Sequence, residues 1–245
     1  MTRDTPREPR RPRGRPPGPS RDPALRRGEI LDAAERVIAT AGTPITFAQV
    51  AAEAGYARTA VYAVFPDLPA LVDALAERHL EGLLAAADAI LAQPLPVREM
   101  LRAIVALVCD FVDADPNLHH LLMQRLQSDE PDEPGVGVPA HHRPLFTRLS
   151  EWATEVFESI LRGVRADPAL ARIWASATIG AILMSAEDWG RDPVRDRAEF
   201  VDRLTAFLWP SVESIGGDRF VGPIDPPGRH DPEPVRDRAT RRPKS

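Results

Sequence analysis

The sequence has few of the residues on which several classes of protein depend. It contains a single cysteine, Cys109, in 245 residues, which excludes an intrachain disulfide framework and is compatible with a reducing compartment. The longest nearly apolar run, Ile173 to Ala186, contains Ser176 and Thr178 and is shorter than the ~20 residues of a membrane span. No apolar stretch follows the early arginines, so we expect no secretory signal. We expect a soluble, cytoplasmic protein with no membrane partner.

Motifs of enzymes and metal sites are also missing. The sequence has no Gly-rich phosphate loop, nucleophile elbow or metal-binding helix motif, and a pair such as Glu187-Asp188 is typical of solvated charges at a helix end. The adjacent histidines at 119–120 and 141–142, with Cys109, lack the usual spacing of metal ligands. We therefore expect no catalytic residue, metal or cofactor, and a helical enzyme is the least favoured alternative.

The stretch from Ile45 to Phe65 predicts two short helices that meet at Gly55. Thr46 is the expected N-cap of the first, and Gln49, three residues later, completes a capping box. Apolar residues recur at three- and four-residue intervals, which predicts one buried face: Phe47, Val50, Ala51 and Ala54. Gly55 supplies the left-handed backbone that a tight turn needs.

In the second helix, Val61 and Phe65 are four residues apart and predict a core-facing side. Arg58, Thr59 and Tyr62 then lie on the opposite side. A helix with such a face fits the major groove of DNA, where Arg reads guanine edges and Thr or Tyr contacts phosphates or a thymine methyl group. The alternative is an ordinary helical hairpin with a polar exposed face.

The segment from Arg27 to Leu75 resembles the N-terminal DNA-binding domain of TetR/AcrR-type transcriptional regulators. The matching positions are Ile30, Leu31, Ala33, Ala34, Gly42, Thr46, Val50, Ala51, Ala54, Gly55, Val61, Tyr62, Phe65, Ala70 and Leu71. The resemblance implies that Arg58, Thr59, Ala60 and Tyr62 occupy the recognition-helix positions and that Thr46 makes a phosphate contact at the start of the preceding helix. It departs from the family at Ala57, where a capping Ser or Thr is usual. The predicted DNA-binding residues are Arg13, Arg15, Arg27, Thr46, Gln49, Arg58, Thr59, Ala60 and Tyr62.

Charge of one sign is concentrated at the N-terminus. The whole chain has a net charge of −5, yet residues 1–28 hold nine arginines against three acidic residues, a charge of +6 that leaves −11 for the rest. Pro12-Arg13-Gly14-Arg15-Pro16 resembles the core of an AT-hook, in which the two arginines enter an A·T-rich minor groove. The alternative is a disordered tail whose Arg- and Pro-rich composition alone produced the motif.

The fold that we predict is all-α, with no segment of strand-like alternation. We expect a disordered basic arm at 1–22, a three-helix helix-turn-helix domain at 23–75, a helical effector-binding and dimerisation domain at 76–215, and a disordered tail at 216–245. A long helix ending near Leu91 joins the two domains. The other helices are expected at about 24–41, 97–114, 116–127, 144–166, 169–188 and 194–208.

Two features of the helical domain indicate partners. Ile173 to Ala186 is apolar on nearly every side, and the resemblance implies that it pairs with the last helix and with their copies in a homodimer that reads a palindromic operator; the alternative is a buried core helix. The second feature is a set of side chains that we predict to line the pocket of an unidentified small-molecule effector, or else to be ordinary core residues: Cys109, Phe111, His119, Met123, Trp152 and Trp174.

The predicted function is a sequence-specific regulator of transcription that binds double-stranded DNA. By resemblance, we expect a repressor that a small-molecule effector releases from its operator. The competing interpretation is a non-regulatory architectural protein that binds DNA through the basic arm, without sequence preference and with a steep dependence on salt.

Overall fold

The computed structural model describes residues 22–42, 44–127, 143–191, 196–220 and 223–224. Within these residues the chain is all-α, as predicted. The helices are α1 (Pro23–Ala41), α2 (Phe47–Ala54), α3 (Arg58–Tyr62), α4 (Leu68–Leu91), α5 (Val97–Ala114), α6 (Pro116–Gln127), α7 (Arg143–Gly163), α8 (Ala171–Gly190) and α9 (Arg197–Ser214), with short 3-10 turns at Pro168–Leu170 and Gly217–Arg219. The loop at 128–140 and the arm before Asp22 lie outside the described residues.

Aspartates begin three of these helices. The side chains of Asp22, Asp67 and Asp196 accept hydrogen bonds from backbone N–H groups in the first turn of α1, α4 and α9, at 2.9, 2.8 and 2.7 Å. Each cap satisfies a donor that the helix itself leaves unpaired. The predicted bounds of α5 and α6 match the structure. Helix α9 extends six residues beyond its predicted end at 208, through Pro210, because Val212 continues its buried face.

The core of the DNA-binding unit continues into the helical domain. Side chains of α1 to α4 pack around Phe65, and Leu118, Leu122 and Leu145 of α6 and α7 join the same cluster. Two further clusters occupy the space between α5, α7, α8 and α9. A change in the position of α6 therefore reaches the DNA-binding unit through direct apolar contacts.

The ordered chain extends past the boundary that we predicted at residue 215. Ile224 is 1% exposed, and its N–H donates to the carbonyl of Leu91 at 2.9 Å. The Phe220 ring lies 2.6 Å from where a Cβ on Gly163 would be, so glycine gives the ring its space. The expectation of disorder from residue 216 therefore needs correction for 216–220 and 223–224, where Phe220 and Ile224 pack against the helical domain. Residues 225–245 lie outside the described part.

Candidate DNA-binding surface and effector cavities

The capping box of α2 sets the geometry of the helix-turn-helix. The Thr46 hydroxyl accepts from the Gln49 N–H at 3.3 Å, and the Thr46 N–H donates to the Gln49 side chain at 2.9 Å. At the other end, Gly55 has φ 69° and ψ 26°, a left-handed conformation that costs a residue with a side chain about 1–2 kcal/mol. The capping box and the left-handed glycine agree with the prediction, and they determine where α2 begins and ends.

Helix α3 presents the predicted recognition residues to solvent. Val61 and Phe65 are buried, whereas Arg58, Thr59 and Tyr62 are exposed and Ala60 is half-buried. The helix is shorter than the pattern indicated: it ends at Tyr62, and Phe65 follows the turn at 63–64. Ala57 provides no side-chain cap, as its departure from the family pattern predicts.

Three other predicted DNA-binding residues lie on or at the start of the neighbouring helices α1 and α2. Thr46 and Gln49 are exposed at the start of α2, where they also bond to each other. The guanidinium of Arg27, on α1, lies 4.7 Å from the centroid of the Phe65 ring, a cation–π distance. Arg13 and Arg15 lie outside the described residues. The contact of all these groups with DNA stays a prediction.

Three small cavities lie in a row inside the helical domain. The first, which we call the distal cavity, has a volume of about 90 Å³; its lining includes Met100, Phe157 and Ile224. A middle cavity of about 50 Å³ shares Ile104, Trp152, Ile179 and Ile182 with the distal one. A proximal cavity of about 70 Å³ shares Leu83, Val108, Leu149 and Leu183 with the middle one. Because neighbouring cavities have walls in common, side-chain rotations can join them.

Four of the six predicted effector residues line these cavities, and two do not. Phe111, His119 and Met123 line the proximal cavity, and Trp152 lines the middle and distal ones. Cys109 and Trp174 line none of the three. Cys109 is fully buried in the α5–α9 core, where desolvation raises its thiol pKa to about 11 and keeps it protonated.

Aliphatic residues form most of the cavity walls, and sequence reasoning missed them. Leu83, Leu149 and Leu183 separate the middle and proximal cavities, yet in the sequence they look like any other core leucine. Their role depends on space left unfilled between distant helices. No local signal in the sequence reports that space.

One polar pair is buried beside the proximal cavity. His119 Nε2 lies 2.7 Å from Glu187 Oε2, and both side chains are 6% exposed. Arg191 donates to the other carboxylate oxygen of Glu187 at 2.7 Å. The interpretation of Glu187 as a solvated charge at a helix end is therefore wrong, because this carboxylate is buried and pairs with both His119 and Arg191. His119 is 68 residues away in sequence, so spacing could not reveal the pair.

Two models of protein families match the chain. Residues 30–75 match bacterial regulatory proteins of the tetR family, and residues 83–224 match the tetracyclin repressor-like C-terminal domain. The chain belongs to the TetR family. It is a DNA-binding transcriptional regulator, which agrees with the exposed recognition helix described above. Among the described residues we find no cluster of His, Cys, Asp and Glu that could hold a metal ion.

Relatives of this TetR-family chain are regulators as well. An uncharacterized HTH-type regulator of Mycobacterium tuberculosis is 22% identical over 191 residues, 78% of each chain. The HTH-type transcriptional activator FasR of Mycolicibacterium smegmatis is 26% identical over 192 residues, 78% of this chain and 84% of its own.

Solved structures share the fold. FadR of Bacillus subtilis in complex with stearoyl-CoA has a TM-score of 0.61 at 16% identity, covering 74% of this chain and 96% of that one. FadR of Thermus thermophilus in complex with lauroyl-CoA has a TM-score of 0.56 at 21% identity, covering 75% and 93%. These likenesses establish the TetR-like fold, with its helix-turn-helix domain and helical C-terminal domain.

Proposed function

We propose that this regulator is a homodimeric repressor whose affinity for a palindromic operator falls when a ligand with a long apolar chain fills the row of cavities. The row itself is the observation that carries the proposal. Its walls are apolar apart from Thr178, His79 and His119, so it suits an alkyl chain better than a polar metabolite. The two FadR proteins described above, which share the fold, are complexes with acyl-CoA molecules, and we infer an effector of that class.

The position of the proximal cavity explains how such a ligand would act on DNA binding. Leu122 and Leu145 line this cavity and also belong to the core of the DNA-binding unit. On its α4 wall, His79 pairs with Glu35 of α1 at 2.7 Å. A ligand that widens the cavity therefore moves groups that hold α1 in place. It shifts the population toward an arrangement with lower operator affinity, provided that it binds that arrangement more tightly.

A displacement experiment tests the effector. Operator DNA is first obtained by selection from a random pool, and lauroyl-CoA and stearoyl-CoA are then titrated into the complex. We expect release by an acyl-CoA and none by free CoA. Ile104→Trp should weaken release by tenfold or more, because Ile104 lines both the distal and middle cavities and the larger ring fills them. Arg172→Ala, an exposed change on α8, is the control; unchanged release by the Trp variant would contradict the proposal.

The sign of regulation is tested separately. FasR, which is 26% identical, is a transcriptional activator, so activation is the second candidate. A reporter gene placed behind the selected operator distinguishes the two. Deleting the regulator should raise expression for a repressor and lower it for an activator.

Arg58 is the residue that we expect to read a base. It is exposed at the start of α3 and free to form the bidentate contact with guanine that arginine favours. Arg58→Ala should remove the preference at one base position of each half-site, at a cost of ~1–3 kcal/mol. Arg58→Lys, which keeps the charge, should lose the same base preference but retain the salt dependence. Binding is measured on a set of operators with single base substitutions. If the wild-type protein, Arg58→Ala and Arg58→Lys show the same base preference, Arg58 does not read a base.

The basic arm should add affinity without adding half-site preference. A truncation should stop at residue 21, because Asp22 caps α1 through a 2.9 Å hydrogen bond to the Ala24 N–H. Removing 1–21 deletes seven arginines, so operator affinity and its salt dependence should both fall. A full-length variant with both Arg13→Ala and Arg15→Ala should lose the portion of this affinity that depends on A·T-rich flanking DNA. If affinity does not change in either variant, the arm has no part in binding.

The apolar surface of α8 and α9 supports the dimer in this proposal. Ile173, Met184 and Phe207 are 68%, 54% and 73% exposed. By length and composition the segment Pro168–Gly190 could cross a membrane, but core helices of soluble proteins pass the same test. TetR-family regulators are soluble and generally cytoplasmic. A second copy of the chain is therefore the partner that we propose for this surface.

A further inference from the structure

The proximal cavity has one polar feature that packing does not explain. The His119 ring is buried, with 6% of the side chain exposed, and it lines the cavity. Its Nε2 bonds to Glu187, but its Nδ1 has no hydrogen-bond partner. A buried polar atom without a partner loses its hydration with no compensation. A ligand in the cavity could supply the missing hydrogen bond to Nδ1.

The surroundings determine which hydrogen bond the free nitrogen can make. Since Nε2 faces a carboxylate, it carries the ring proton, and the neutral ring then exposes a lone pair on Nδ1. Burial lowers the pKa of His119, although Glu187 opposes the shift. A lowered pKa favours the neutral ring at neutral pH, and in the neutral ring with its proton on Nε2, Nδ1 accepts a hydrogen bond and does not donate one. A ligand group at this point must therefore bring a proton of its own.

The rest of the cavity restricts the ligand further. Phe111 lies between the two histidines of the lining, with centroid distances of 5.7 Å to both His79 and His119. His79 is engaged by Glu35 on α1, and the remaining walls are aliphatic or Met123. The volume of about 70 Å³ is several times the ~10–15 Å³ that one water molecule needs. The space suits a short alkyl segment that ends in one small donor.

We propose that His119 Nδ1 is a specificity-determining acceptor for a hydroxyl group on an apolar ligand in the proximal cavity. This inference rests on the proposed effector role of the cavity row, and it adds a chemical class: hydroxylated alkyl chains rather than plain ones. The hydroxyl proton goes to the Nδ1 lone pair, while the Glu187–His119 bond holds the ring in place. The α4 side of the same cavity includes Ala76, which also belongs to the core of the DNA-binding unit.

Two small probes test the acceptor without assuming an acyl-CoA ligand. Hexan-1-ol donates a hydrogen bond, whereas its methyl ether, 1-methoxyhexane, has the same apolar chain and only accepts. Binding of both is measured on the full-length protein by calorimetry, and ¹⁵N-labelled histidine reports the Nδ1 resonance. We expect the alcohol to bind about tenfold more tightly than the ether, equivalent to about 1.4 kcal/mol, and to shift the Nδ1 resonance of His119.

A variant separates the acceptor from the packing of the ring. His119→Gln places an amide N–H near the position of Nε2, so it can keep the bond to Glu187 while it removes the acceptor at Nδ1. The preference for the alcohol should disappear in this variant. Leu25→Ala, an exposed change on α1 outside the cavity lining, should retain it. Folding of each variant is checked by circular dichroism and thermal unfolding.

The outcomes distinguish this inference from the proposed effector. Equal binding of alcohol and ether to the wild-type protein would overturn the inference, as would a preference that survives His119→Gln. An Nδ1 resonance that already shows a hydrogen bond without the probe would mean an ordered water only, and would also overturn it. If the alcohol shows the expected preference but no acyl-CoA releases the operator, the acceptor stands and the acyl-CoA effector fails.

Discussion

Phe207→Glu should convert the regulator to a monomer and lower its operator affinity by a factor of about 10²–10⁴. Phe207 is 73% exposed on α9. On α8, an apolar stripe at three- and four-residue intervals runs from Ile173 through Ala177 and Gly180 to Met184. Because α8 and α9 contact each other, we infer that these exposed apolar side chains form one interaction surface, and the small residues of the α8 stripe allow close approach of another helix.

The size of the effect follows from symmetry. In a twofold dimer the same patch occurs on both subunits, so one substitution introduces two carboxylates at the interface. Each carboxylate loses hydration without gaining a partner. The monomer then reads one half-site, and the advantage of linking two binding units, typically 10²–10⁴, is lost. Sedimentation velocity measures the oligomeric state, and titration with a full and a half operator measures the affinity.

The control places the same charge elsewhere. Ala89 is exposed on α4, and Ala89→Glu should leave both the oligomeric state and the affinity unchanged. A Phe207→Glu protein that still sediments as a dimer would assign the interface to another surface. A monomeric variant with full operator affinity would instead show that operator binding does not require the dimer.

Local signals explain why the DNA-binding unit could be predicted well. Thr46 and Gln49 are three residues apart, Gly55 requires a special backbone conformation, and Val61 lies on a helical period with its neighbours. Each of these facts involves fewer than ten residues of sequence and acts through short-range hydrogen bonds or sterics.

The effector region depends on contacts that no short window contains. The cavities exist because side chains from α4 to α9 fail to fill the space between these helices. The prediction of Trp152 as a pocket residue rests on its aromatic ring. The prediction of Cys109 and Trp174 rests on a thiol and an aromatic ring, and both residues pack elsewhere. The pairing of His119 with Glu187 also joins two helices that are distant in sequence. Residue type points to a pocket, whereas only the packing identifies its walls.

Phe65→Ala should destabilise the DNA-binding unit by about 3–5 kcal/mol, the cost of removing a large aromatic side chain from a core. Phe65 is 1% exposed and belongs to the core cluster that contains side chains of α1, α2 and α4. Its ring also faces the guanidinium of Arg27 at 4.7 Å, so the substitution removes a cation–π contact as well as packing. Because total stabilities are about 5–15 kcal/mol, a loss of this size frees α2 and α3 from their fixed positions.

Amide hydrogen exchange should detect this loss locally. In Phe65→Ala the amides of α2 and α3 should exchange about 100-fold faster or more, while those of α8 should keep their protection. Operator binding should fall with the folded fraction of the unit. Leu25→Ala is the matched control, because Leu25 is 57% exposed on α1 and its removal should change exchange little. Uniform loss of protection through α8 would instead mean that the two domains unfold as one cooperative unit through the contacts of α6 with α1.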